Sequence, residues 1–91
     1  MDPSKRVGEI ERRLEAAFAP ESLQVEDESH LHAGHAGARD GRGHFRVSIV
    51  AEAFEGMNPI QRHRAVYGAM GELMQTDIHA LSIEAIASSE L

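Results

Sequence analysis

Cysteine is absent from this chain of 91 residues. Disulfides, thiol chemistry and thiolate ligands are therefore excluded, and any soft-metal site would need its sulfur donors from another molecule. Aromatic residues are scarce, only Phe18, Phe45, Phe54 and Tyr67, so the core must be mainly aliphatic. No run approaches the roughly 20 apolar residues needed to cross a bilayer. Charges interspersed from Met1 to Ala19 do not read as a signal peptide, which leads to the expectation of a cytoplasmic protein. Basic residues are in deficit, 9 against 15 acidic, and the net charge of −6 disfavours non-specific attraction to phosphate backbones. Repeats and low-complexity tracts are missing. The length suits one domain, 1–91, with 1–2 and 87–91 expected to fray.

What is present is a regular alternation of patterns. Asp2-Pro3 reads as a cap followed by a proline pre-set for the first helical position. Val7, Ile10, Leu14 and Phe18 then recur at intervals of three and four, predicting a helix over 3–18 that stops before Pro20. Leu23 and Val25 alternate with polar neighbours in a short strand. Residues 30–43 are rich in Gly, Ala and His and form a long loop. In the next strand, 44–50, Phe45, Val47 and Ile49 face one way, and His44, Arg46 and Ser48 the other, so His44 is expected to be exposed. Asn58-Pro59 starts a second helix, whose apolar arc of Ile60, Val66, Tyr67, Met70, Leu73 and Met74 surrounds His63 and marks it as a core histidine. A last strand over 79–86 has Leu81, Ile83 and Ala85 on one face. By parity His79 falls on that same side, facing the helices. The order helix-strand-strand-helix-strand predicts an α+β fold with both helices packed on one face of a three-stranded sheet.

Histidine carries the chemistry. His30, His32 and His35 lie within six residues, and neutral imidazole is the commonest protein metal ligand. In an extended segment His30 and His32 project together, and His35 follows a glycine that can turn the chain toward them. The loop supplies at most three of the four ligands of a closed zinc site, without thiolates. Solvated loop histidines are the plain alternative, as a half-buried strand-end histidine is for His79. Arg62 and Arg64, early in the second helix, can hold a phosphate near its N-terminus or pair with Glu52 or Glu55. No glycine-rich nucleotide loop and no paired serine nucleophile is present, so an enzyme is not expected.

Phe54-Glu55-Gly56, Gln61-Arg62-His63-Arg64-Ala65-Val66-Tyr67 and Thr76-Asp77-Ile78-His79-Ala80-Leu81-Ser82-Ile83 resemble the BolA family in order and spacing. Glu28-Ser29-His30-Leu31-His32-Ala33-Gly34-His35-Ala36-Gly37 and His44-Phe45-Arg46-Val47 match it as well, so the resemblance spans nearly the whole chain. It implies an α+β fold similar to a class II KH domain. It also implies pairing with a monothiol glutaredoxin and glutathione in a heterodimer bridged by a [2Fe–2S] cluster, with no cluster expected in the isolated chain. The implied ligands are His79 at the strand start and a loop histidine, with His32 aligning best, His35 as an alternate and His30 after it. The function implied is that of an accessory protein of iron–sulfur trafficking or iron regulation.

A KH-like nucleic-acid-binding transcriptional regulator is the alternative, resting on Arg46, Arg62 and Arg64. It is weakened because Gly56-Met57-Asn58-Pro59 holds only one of the two glycines of a Gly-x-x-Gly loop. A zinc- or copper-buffering module is a third reading. No membrane association is expected, and alone the chain is expected to be a monomer or weak homodimer.

Overall fold

The computed structural model describes residues 1–32 and 41–91, residue 32 by its backbone alone. Asp2 accepts a hydrogen bond from the Ser4 amide at 2.9 Å and starts a 3-10 turn, Pro3–Lys5, which runs into helix α1, Arg6–Phe18. Ile10 and Leu14 are fully buried, with Val7 and Phe18 packed beside them, as the spacing predicts. The helix ends where Ala19 turns into the left-handed region at φ 44°, immediately before Pro20.

Strands β1, Ser22–Asp27, and β2, Gly43–Ala51, pair antiparallel, with Val25 opposite Val47. After a short 3-10 turn, Glu52–Phe54, helix α2 spans Pro59–Met70 and is followed by a single helical turn, α3, Leu73–Thr76. The α2 N-terminus forms the full reciprocal cap: Gln61 N–H donates to Asn58 Oδ1, and Asn58 N–H donates to Gln61 Oε1, both at 2.9 Å. Strand β3, Ile78–Ala87, then runs parallel to β2, giving a mixed sheet in the order β1-β2-β3. One core joins Ile10 and Leu14 of α1, Phe45, Val47 and Ile49 of β2, Phe54, Val66 and Met70, and Ile78 and Leu81 of β3. The α+β architecture expected from the sequence is therefore present.

Three expectations are corrected. His63 is exposed, not a core residue. The inward face of α2 runs through Val66 and Met70, with Ala65 and Ala69 half-buried, while Ile60 and Tyr67 lie largely outside. Tyr67 lies across the sheet edge instead, its hydroxyl donating to the Leu81 carbonyl at 3.2 Å. The expected fraying at 87–91 is also replaced by structure: Ser88–Glu90 form a 3-10 turn. Ser89 donates through its amide and hydroxyl to the Glu55 carboxylate, Ser88 pairs with Glu21, and Glu90 pairs with Arg62. The third correction concerns His44 and His79, which share the site described next. No helix among the described residues is long and apolar enough to cross a membrane.

Candidate metal-ligating site

The parallel strands β2 and β3 begin side by side, and their ladder is irregular at that end. Gly43 is opposite Ile78 but His44 is opposite Ala80, so His79 is an extra residue in β3, a β-bulge. The bulge breaks the alternation on which the parity argument rested. Ile78 and Leu81 point into the core, and the two residues between them, His79 and Ala80, are exposed. His79 therefore does not face the helices; it stands exposed at the end of the sheet where β2 and β3 begin.

His44 departs from expectation in the opposite sense. It lies on the face of β2 away from the core, yet only 7% of its surface is exposed. The turn Ser29–His32 folds against it: His44 N–H donates to Ser29 Oγ at 3.1 Å, and Glu28 N–H donates to the His44 carbonyl at 2.8 Å. The His79 ring covers it from the neighbouring strand, with ring centroids 5.1 Å apart and planes tilted by 49°. Two imidazoles bound to one tetrahedral metal at about 2.0–2.1 Å place their centroids at a similar separation, roughly 5 Å. A histidine opening one strand of a parallel pair, with a second opening the other, was a signal available in the sequence. It was missed because strand pairing, not spacing, brings them together.

The backbone beneath the pair is fixed. Gly43 N–H donates to the Asp77 carbonyl at 2.8 Å. The buried Asp77 side chain accepts from Arg6 Nε at 2.9 Å and from the Thr76 hydroxyl at 2.8 Å. These hydrogen bonds, Arg6 first, hold the Asp77 carboxyl below its ordinary value. Arg6 also donates to the Gly41 carbonyl at 2.8 Å, so the far end of the histidine loop is tied to α1. Arg42 reaches over the site, with Nη2 3.1 Å from His79 Nδ1.

Of the other candidate ligands, His30 is exposed in the Ser29–His32 turn, while His35 and the side chain of His32 lie outside the described residues. Among the described residues no group of three or more histidines, aspartates or glutamates converges as a metal site. The arginines proposed for nucleic acid are mostly engaged. Arg62 donates to the Met57 carbonyl, the Ala85 carbonyl and both carboxylate oxygens of Glu90, at 3.0, 3.1, 2.6 and 3.0 Å. Arg46 pairs with Glu28 at 3.2 Å, and Arg64 is exposed.

The family described as BolA-like protein matches residues 14–90 by its sequence pattern. The chain belongs to the BolA-like family. Arabidopsis thaliana chloroplastic protein BOLA1 is 43% identical over 88 residues, an alignment covering 93% of this BolA-like chain and 55% of the relative. A Sinorhizobium relative, an uncharacterized protein in the cobS 5′ region, is 45% identical, with 89% of each chain covered. Arabidopsis SufE-like protein 1, a chloroplastic/mitochondrial protein, is 40% identical, and only 24% of its length is covered. The BolA-like chain thus spans about half of one plant relative and about a quarter of the other. Solved structures agree on the fold. BolA1 from Arabidopsis superposes with a TM-score of 0.81 at 42% identity, covering 94% of this chain and 95% of that one. The BolA domain of Arabidopsis SufE1 gives 0.84 at 38% identity, with the same coverage.

Proposed function

We propose that this chain is a non-enzymatic accessory protein of iron–sulfur trafficking or iron regulation, acting in a heterodimer with a monothiol glutaredoxin and glutathione. The carrying observation is the exposed His79, displaced outward by a bulge and paired with a second imidazole in a chain without thiolates. Such an arrangement is half of a coordination sphere. It offers nitrogen donors at an accessible edge and needs sulfur donors from a partner, which the glutaredoxin cysteine and the glutathione thiol provide. The [2Fe–2S] cluster is the shared cargo, held on this side by His79 and a second histidine. His32 is the leading second ligand, followed by His35 and His30. His44, already beside His79, is the competitor that the fold adds.

The test is the visible spectrum of the cluster assembled on a monothiol glutaredoxin with glutathione, with and without this chain. Changed bands that vanish in His79→Ala support the reading. Weakening in His32→Ala assigns the second ligand to the loop, whereas weakening only in His44→Ala assigns it to the strand. A spectrum identical to that of the glutaredoxin alone rules the heterodimer out. The nucleic-acid reading is not favoured, because Arg62 is spent on backbone carbonyls and Glu90.

A further inference from the structure

Arg42 sits two residues before His44, and its guanidinium contacts His79 at one ring nitrogen, with Nη2 to Nδ1 at 3.1 Å. A guanidinium has only donors, so Nδ1 must be the acceptor in this contact. The neutral ring then carries its proton on Nε2, and its single in-plane lone pair is occupied by Arg42. A metal binding at Nδ1 competes with the guanidinium directly. A metal binding at Nε2 requires the proton to move to Nδ1, which would set an N–H donor against another donor. Both routes need Arg42 to leave.

We propose that Arg42 is a latch on His79, masking the ring in the isolated chain so that metal or cluster loading requires displacement of the guanidinium. The proposal rests on the reading of His79 as a ligand. A second contact steadies the arm, with Arg42 Nη1 donating to the Met74 carbonyl at 3.5 Å. Arg42 is thus a positioning residue, and it keeps an exposed imidazole from collecting stray divalent metal before a partner arrives.

The test uses the full chain and Co²⁺ as probe, at a pH where imidazole is neutral, with wild type, Arg42→Ala, His79→Ala and the double variant. Hydrogen bonds to charged groups are worth enough for Arg42→Ala to bind cobalt roughly tenfold more tightly than wild type. Removing a positive charge would also help a cation, so the titration is repeated in about 1 M salt, where the Debye length falls to about 3 Å. A latch leaves the advantage in place at high salt; an advantage that collapses there overturns the proposal. Equal affinities for wild type and Arg42→Ala, or no binding by either, also overturn it. If His79→Ala alone then binds more weakly, the ligand role of His79 survives. A double variant that binds as tightly as Arg42→Ala sinks the ligand role itself. Long-range ¹H–¹⁵N spectra give an independent readout: the wild-type His79 ring should carry its proton on Nε2 with Nδ1 accepting, and a proton on Nδ1 overturns the latch. Arg42→Met, which keeps the aliphatic stem, replaces Arg42→Ala if that variant fails to fold.

Discussion

At the scale of single residues, two backbone positions are decided by what a side chain would meet. Gly43 opens β2 beneath the histidine pair, and a Cβ there would sit 2.6 Å from Phe45 Cε2 and 2.9 Å from Ser29 Oγ. Phe45 is fully buried, so its ring has little room to retreat. Gly43→Ala should cost about 1–3 kcal/mol, the usual range for overpacking, read as a lower urea midpoint with an unchanged slope. It should also disturb the His44–His79 contact, since His44 is the next residue in the strand. Ala19 presents the opposite case. It adopts φ 44° at the end of α1, where a side chain is strained and glycine is not. Ala19→Gly should raise stability by up to about 1 kcal/mol, because relief of left-handed strain outweighs glycine's larger unfolded-state entropy. A fall in melting temperature would contradict it.

Among the elements, acidic residues join helices to the sheet and to each other. Glu9 of α1 is gripped by Arg12 and Arg13, and these hydrogen bonds bring its carboxyl down to about 2. Arg13 also donates to the Met70 carbonyl at 2.6 Å and pairs with Glu72, joining α1 to the C-terminal end of α2. Asp77, held down chiefly by Arg6, joins α1 to the start of β3. Both carboxyls are more acidic folded than unfolded, so the native state binds fewer protons. Their stabilisation is complete above the ordinary carboxyl range and is lost as the pH falls through the depressed values. Urea midpoints should therefore drop on acidification below the ordinary Asp value of 3.8, and Asp77→Asn should flatten that drop while lowering the neutral-pH midpoint. An acid profile unchanged by the substitution would remove Asp77 from the account. The elements themselves were legible in the sequence, because Pro3, Asn58-Pro59 and the alternation in 44–50 act locally. The bulge was not, since the strand's own pattern of Leu81, Ile83 and Ala85 continues smoothly back to position 79. Only pairing with β2 shows that Ile78, not His79, fills the core.

For the whole molecule, the family and the placing of a histidine at the start of the last strand were readable from residue order, while the exposure of His63 and His79, the burial of His44 and the contacts of Arg62 were not. These depend on which side of α2 meets the sheet and which strands lie side by side, and a helical wheel drawn from one segment carries neither. The resulting arrangement puts the proposed ligand and a stabilising clamp at opposite ends of β3. His79 lies at its N-terminal end, and Arg62 grips its C-terminal end through the Ala85 carbonyl and the tail through Glu90. Six residues of strand, at about 3.3 Å each, put roughly 20 Å between them. Arg62→Ala leaves the Met57 and Ala85 carbonyls and the Glu90 carboxylate without that guanidinium, so it should lower the midpoint of denaturant unfolding. The same variant, kept below its unfolding transition, should give the wild-type cluster spectrum with the glutaredoxin. It should also leave oligonucleotide retention unchanged at every salt concentration. If Arg62→Ala instead kept full stability and lost a salt-sensitive oligonucleotide affinity, Arg62 would be a phosphate contact, and the division of the strand into a proposed ligand end and a clamped end would fall.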